Sequence, residues 1–229
     1  MNGKTSRNNT KTVRQLYRFL SELAENNNRE WFNAHKETYL TLRKQWEDNI
    51  ARLRQTLIQH QPELIRQPAK DISYRIYRDI RFSNDKTPYK TYFAAAITPY
   101  GRKTDRAAFY FELSPLRNEI YTGIWKATPQ MVRKLRQAIS DNSEEFTEIM
   151  EPLIPEYNLA GEALKTAPKG FSTEDPMLPY LRQKQLAIHR HIPQEQILEA
   201  TDWTEIIAQE YLRLKPFNDF INYSLDEEI

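Results

Sequence analysis

Apolar residues recur every three or four positions in the first quarter of the chain. Leu16, Phe19, Leu20 and Leu23 fall on one stripe, and Thr12 with Gln15 has the spacing of a capping box, so a helix is expected over 12–25. The polar, patternless stretch 1–11 reads as a flexible arm, and 12–229 as a single domain. In "ENNNREWF", Asn27 and Glu30 have the spacing to cap a second helix. His35, Tyr39, Leu42, Trp46, Ile50, Leu53 and Leu57 then form a long amphipathic stripe that stops before Pro62. Together these segments predict a long N-terminal helical hairpin.

Near residue 71 the period changes. "DISYRIYRDIRF" alternates and is rich in Ile, Tyr and Arg, which predicts a strand. "TYFAAAITPY", "AAFYFELS" and "NEIYTGIWK" follow, separated by the turn-prone "YGRKTDR" and "SPLRNE", so this part reads as an antiparallel meander. Thr128 and Pro129 open a helix with the stripe Met131, Leu135 and Ile139. "SEEFTEIMEPL" is a further helix whose acidic first turn suits the helix dipole. "APKGFSTEDPMLPY" is a loop, with Pro168 to Phe171 as a surface turn or a lid, and "KQLAIHRHI" is a last strand. The C-terminal segment from Asp202 is helical, with Asp202 and Glu205 as a capping box and a break or kink at Pro216. The expected class is α+β: an antiparallel sheet of four to five strands packed against helices, with a helical C-terminus.

With 229 residues, 39% of them hydrophobic, the chain can bury a substantial core. It has no cysteine, which removes disulfides, thiolate metal sites and thiol chemistry and fits a reducing cytoplasm. No apolar run approaches the roughly 18 residues that span a bilayer, and "MNGKTSRNNTKT" lacks the apolar core of a signal peptide. A soluble, unexported, cytoplasmic protein without membrane contact is expected. The sequence specifies neither a cofactor nor an oligomeric state. Net charge is only +2, but residues 1–106 carry 21 Lys and Arg against 11 Asp and Glu, and residues 107–229 carry 12 against 20. That asymmetry is met by mutual neutralisation or by a basic face for an anionic partner.

Several familiar recipes are missing. Five glycines, at 3, 101, 123, 161 and 170, build neither a phosphate loop nor a dinucleotide fingerprint, and there is no GxSxG or HExxH. His189 and His191, two apart on a strand, would form half of a metal site, but no third ligand stands at matching spacing and no metal is expected. Tyr121 and Trp125 share a face, read here as core packing.

Chemistry concentrates in "RIYRDIRFSNDKTPYK", residues 75–90. In an extended segment Arg75, Tyr77, Asp79 and Arg81 point one way and Tyr74, Ile76, Arg78 and Ile80 the other. If the isoleucines mark the interior, Arg78 is aimed inward and must be paired. "SNDKTPYK" is a turn that raises Lys86, Tyr89 and Lys90 beside the strand end. Arg75, Arg78, Arg81, Ser83, Lys86 and Lys90 are the candidate ligand-binding residues, because guanidinium forks and ammonium charges suit phosphate or carboxylate. Asp79 and Asp85 are candidate acid/base groups, and Tyr89 a proton donor or stacking platform. The competing reading is an internal ion-pair network among these same side chains.

"NNNREWFNAHKETY", "RIYRDIRFSNDKTPYK", "YTGIW" and "APKGFSTEDP", in this order and with these gaps, resemble the bacterial and fungal family known as domain of unknown function 2461. The resemblance covers roughly 12–222 and includes Asn27, Trp31, Arg75, Arg78, Asp79, Arg81, Ser83, Asp85, Lys86, Tyr89, Lys90, Gly123 and Trp125. It implies which segments belong together and brings no activity, cofactor or catalytic residue with it.

Three functions remain open on the sequence. The first is binding of an anionic small molecule, with or without catalysis. The second is nucleic-acid binding by a basic face that adds Arg102, Lys103, Arg106 and the long helix. The third is a scaffold whose charges pair internally.

Overall fold

The apolar stripe of the first segment folds as helix α1, Asn2–Glu25. The structure is a computed structural model that describes residues 2–68 and 71–227, with the side chains of 12–68 and 71–227. Thr12 therefore lies inside α1 rather than at its start, and the side chains of the expected arm lie outside the described residues. Two further helices follow, α2 (Arg29–Ala34) and α3 (Lys36–Ile58), divided at His35. The cap of α2 is Asn28, one residue later than expected: its side-chain oxygen accepts from the Trp31 N–H at 2.9 Å. Asn27 is engaged elsewhere, as described below. Helices α1 and α3 pack as the two arms of the predicted hairpin. Leu16, Phe19, Leu20 and Leu23 from α1 and Tyr39, Leu42, Trp46, Ile50, Leu53 and Leu57 from α3 are buried. Each such aliphatic side chain withdrawn from water contributes about 1.5–3 kcal/mol. After α3 a 3₁₀ turn, Pro62–Arg66, completes this layer.

Five strands form an antiparallel sheet in the order β1-β2-β3-β5-β4. They are β1 (Phe93–Ile97), β2 (Ala108–Leu113), β3 (Asn118–Gly123), β4 (Asn158–Leu159) and β5 (Ala187–Ile192). Strand β2 alternates as a half-buried strand should, with Phe109, Phe111 and Leu113 inside. Strand β1 is buried along its whole length, which its three consecutive alanines permit. The two-residue β4, paired with β5 through Asn158–His189 and Leu159–Ile188, is too short to announce itself in sequence. Gly123 ends β3 with φ +110, and a Cβ there would run into the Leu186 carbonyl oxygen, so two independent constraints require glycine.

The segment expected as the first strand is not one. Ser73 makes a single bridge to Ala95, with Tyr74 N–H donating to Ala94 O and Ala96 N–H to Ile72 O. The chain then changes partner. Lys90 N–H donates to Ile76 O at 2.8 Å, Arg78 N–H to Pro88 O at 2.9 Å, and Tyr77 bridges Tyr89. The turn at 83–88 returns the chain close enough for residues 76–78 to pair with their own continuation. Edge pairing with β1 stops there.

The remaining helices are α4 (Pro129–Asp141), capped by the Thr128 hydroxyl as expected, α5 (Ser143–Met150), α6 (Leu178–Leu181), α7 (Gln194–Glu199) and α8 (Trp203–Asp226). Helix α8 carries Pro216 inside it. Pro168–Phe171 closes a turn, the Phe171 N–H donating to Pro168 O with Gly170 at φ +96. The described chain comprises two compact units. One holds 2–68, 71–102, 110–119 and 191–210; the other holds 103–109, 120–190 and 211–227. The first buries the helical hairpin around Trp46, whose indole lies parallel to Trp203 at 5.4 Å. The second buries Phe146 against Phe217 and Phe220, and stacks His189 on Tyr121. Trp125, expected in the core, is 57% exposed and touches Tyr121 edge-on. Its strand ends at Gly123, so the face shared by Tyr121 and Trp125 is not continued as a strand face.

Candidate functional site

Burial in 74–81 follows the alternation expected of an extended segment: Ile76 is buried, Arg78 and Ile80 half-buried, and Arg75, Tyr77, Asp79 and Arg81 exposed. Two side chains fasten this excursion to the helices. The Asn27 amide donates to Tyr89 O at 2.9 Å and accepts from Tyr89 N–H at 3.1 Å, acting as one rung of a ladder. The Tyr89 ring stacks on Phe32 at 3.9 Å. It is a buried anchor, and burial raises its hydroxyl above the usual tyrosine range.

The inward Arg78 finds its partners within the turn. Its guanidinium donates to Asp85, to the Thr87 hydroxyl, to Thr87 O at 3.2 Å and to Ser83 Oγ at 3.4 Å. Asp85 also accepts from the N–H and hydroxyl of Thr87, at 2.9 and 2.8 Å. These bonds, the Thr87 N–H first, hold its carboxyl at about 2. Arg81 grips Asp79 with both arms, at 2.9 and 2.7 Å, and lowers that carboxyl to about 2. Lys86 donates to Ile80 O at 3.1 Å. The expected ligand residues Arg78, Ser83 and Lys86 thus close the turn, and Arg81 is spent on Asp79. Both aspartates are ionised at neutral pH but are weak bases, since a general base works best with a pKa near the operating pH.

The outward face opens on a cleft of about 490 Å³. Arg43, Ser73, Tyr74, Arg75, Tyr77, Asp79, Lys90 and Arg102 line it, four cations to one carboxylate. Arg43 comes from α3, where its Nε donates to Glu47 at 2.8 Å and its Nη1 donates to the Tyr39 hydroxyl at 3.1 Å; Nη2 has no such partner among the described residues. Arg102 donates to Ser73 O at 2.7 Å and stands 3.8 Å from Asp71. The Ser73 hydroxyl accepts from Trp46 Nε1 at 3.1 Å, which pins the floor of the cleft to α3. Lys90 and Arg102 both lie over the Tyr74 ring, each at 5.2 Å, and Lys90 also lies 5.6 Å from the centre of Tyr92. Among the described residues, Arg75 and Lys90 make no side-chain hydrogen bond or ion pair. Burial, and after it the charge of Arg75, lowers the Lys90 pKa. Next to it burial raises the carboxyl of Glu112, which accepts from the Tyr110 hydroxyl at 2.7 Å.

Of the expected site residues, therefore, Arg75, Asp79 and Lys90 meet in the cleft. Arg43, Ser73 and Tyr74 were missed as site residues, and Arg102 was expected only on a nucleic-acid surface. One signal for Arg43 was present: it sits four residues after Tyr39 and beside Leu42, bordering the buried stripe. Of the other loop cations, Arg106 pairs with Asp226 in the second unit. Among the described residues, no three His, Asp or Glu side chains converge as metal ligands, and no helix is long and apolar enough to cross a membrane.

A family model described as conserved hypothetical protein (DUF2461) matches residues 15–220. The chain belongs to that family. No curated protein and no solved structure matches it. The DUF2461 match spans every residue of the cleft and of the turn beside it.

Proposed function

We propose that this protein binds a small anionic molecule, bearing phosphate or carboxylate, in the cleft of Arg43, Arg75, Lys90 and Arg102. One observation carries the reading: Arg75 and Lys90 line a concave site and, among the described residues, make no hydrogen bond or ion pair with a carboxylate. Lys90 is half-buried there, and a half-buried cation is costly unless something pairs with it. An oxyanion would engage the fork of Arg75, the free arm of Arg43 and the Lys90 ammonium, with Tyr74 as a flat wall. A volume of about 490 Å³ suits a compact ligand. The concavity favours that ligand over an extended nucleic acid, and the unpaired cations favour it over a scaffold with all charges matched. The reading keeps the cytoplasmic setting expected of the cysteine-free sequence.

The test is calorimetric titration with inorganic phosphate, pyrophosphate and citrate. The wild type should bind at least one of them, and Arg75→Ala should weaken that binding by roughly tenfold or more, about 1.4 kcal/mol. Arg18→Ala, exposed on α1 and outside the cleft, should bind as the wild type does. Absence of binding by the wild type, or equal binding by Arg75→Ala, would overturn the reading.

A further inference from the structure

The four cations of the cleft are not chemically equivalent. Three are guanidinium groups, which stay protonated at any accessible pH and cannot act as nucleophiles. The fourth is an amine. Lys90 Nζ sits over the Tyr74 and Tyr92 rings without a hydrogen-bond acceptor among the described residues, and Arg75 and Arg102 line the same cleft. Desolvation beside another cation is the arrangement that activates a lysine amine, and burial and Arg75 do lower the proton affinity of Lys90.

Near the amine stands a hydroxyl–carboxyl pair. Tyr110 donates to Glu112 Oε2 at 2.7 Å. Glu112 is half-buried, and burial holds its proton to a higher pH than an ordinary glutamate. Lys90 and Glu112 also feel each other's charge.

We infer that Lys90 is a carbonyl-reactive amine, and that the ligand of the cleft is an aldehyde or ketone that also carries a carboxylate or phosphate. This rests on the anion-binding reading of the same cleft: Arg43, Arg75 and Arg102 hold the anionic end, and Lys90 meets the carbonyl. The neutral amine attacks the carbonyl carbon and forms the C–N bond. The C–O π pair moves to oxygen, which takes a proton. That oxygen then leaves as water with the second amine hydrogen, and a C=N bond remains. One water is released, and nothing is oxidised or reduced.

The experiment treats the folded 229-residue chain with glyoxylate, an aldehyde bearing a carboxylate, and traps imines with cyanoborohydride. Peptide mass spectrometry then reads the labelling rate of each lysine at pH 7.5. Lys90 should label several-fold faster than the exposed Lys44, and inorganic phosphate should slow Lys90 alone. Arg75→Ala should lose that advantage. Labelling of Lys90 no faster than Lys44 would overturn the inference. If phosphate binds by calorimetry while Lys90 labels slowly, the anion site stands and only the amine chemistry falls; if phosphate neither binds nor protects, both fall.

Discussion

At the residue scale the cleft turns on Lys90, whose ammonium is half-buried and faces other cations. Its folded pKa lies below that of a lysine in the unfolded chain. Between those two values the unfolded chain holds more protons, so stability rises with pH across that window. Lys90→Met should flatten the rise, as read from denaturant midpoints over a pH series. A bound anion favours the protonated amine. Sulfate, whose charge is constant in this range, should therefore bind less tightly as pH rises through the folded pKa of Lys90, and Lys90→Met should remove that dependence. The placement of these side chains was half legible in sequence. Alternation alone separated Arg75 from Arg78 and required a partner for Arg78. It could not show that Asp85, Ser83 and Thr87 supply that partner, because the turn geometry that gathers them is irregular. Nor could it bring Arg43 to the site from a helical position more than thirty residues before Arg75.

At the element scale, helices were read from long periodic stripes and survive intact, with only caps and joints displaced. The segment 71–82 had the composition of a strand and the alternation of one, yet it pairs with β1 only around Ser73. Local pattern records which face is buried; it does not record which neighbour the backbone chooses. Here the choice is enforced by Asn27, whose amide takes both backbone groups of Tyr89. Asn27→Ala should lower stability by about 1–3 kcal/mol, measured by urea denaturation, and loosen the cleft with it. Arg78→Met should act more locally. Hydrogen exchange should accelerate over 79–87 and remain slow in β1, because the bonds lost belong to the turn.

Across the whole molecule, the basic excess of residues 1–106 looked in sequence like a surface for a polyanion. Folding gathers part of it into a concave site and matches other parts with acids, as in Arg78–Asp85, Arg81–Asp79 and Arg43–Glu47. Binding should accordingly saturate with the few charges the cleft can hold. A nucleoside monophosphate should compete, molecule for molecule, about as well as a long oligonucleotide in fluorescence competition. Affinity that climbs with oligonucleotide length, together with a steep dependence on salt, would instead mark an extended interface.

The parallel indoles of Trp46 and Trp203 carry a further consequence. Two identical chromophores 5.4 Å apart share their excitation, and the shared state splits into a signed pair of bands in circular dichroism. Trp46 is also the donor to the hydroxyl of Ser73 in the cleft floor. If a ligand displaces Ser73, the Trp46–Trp203 pair should respond, and titration followed by circular dichroism without any attached label is expected to read it.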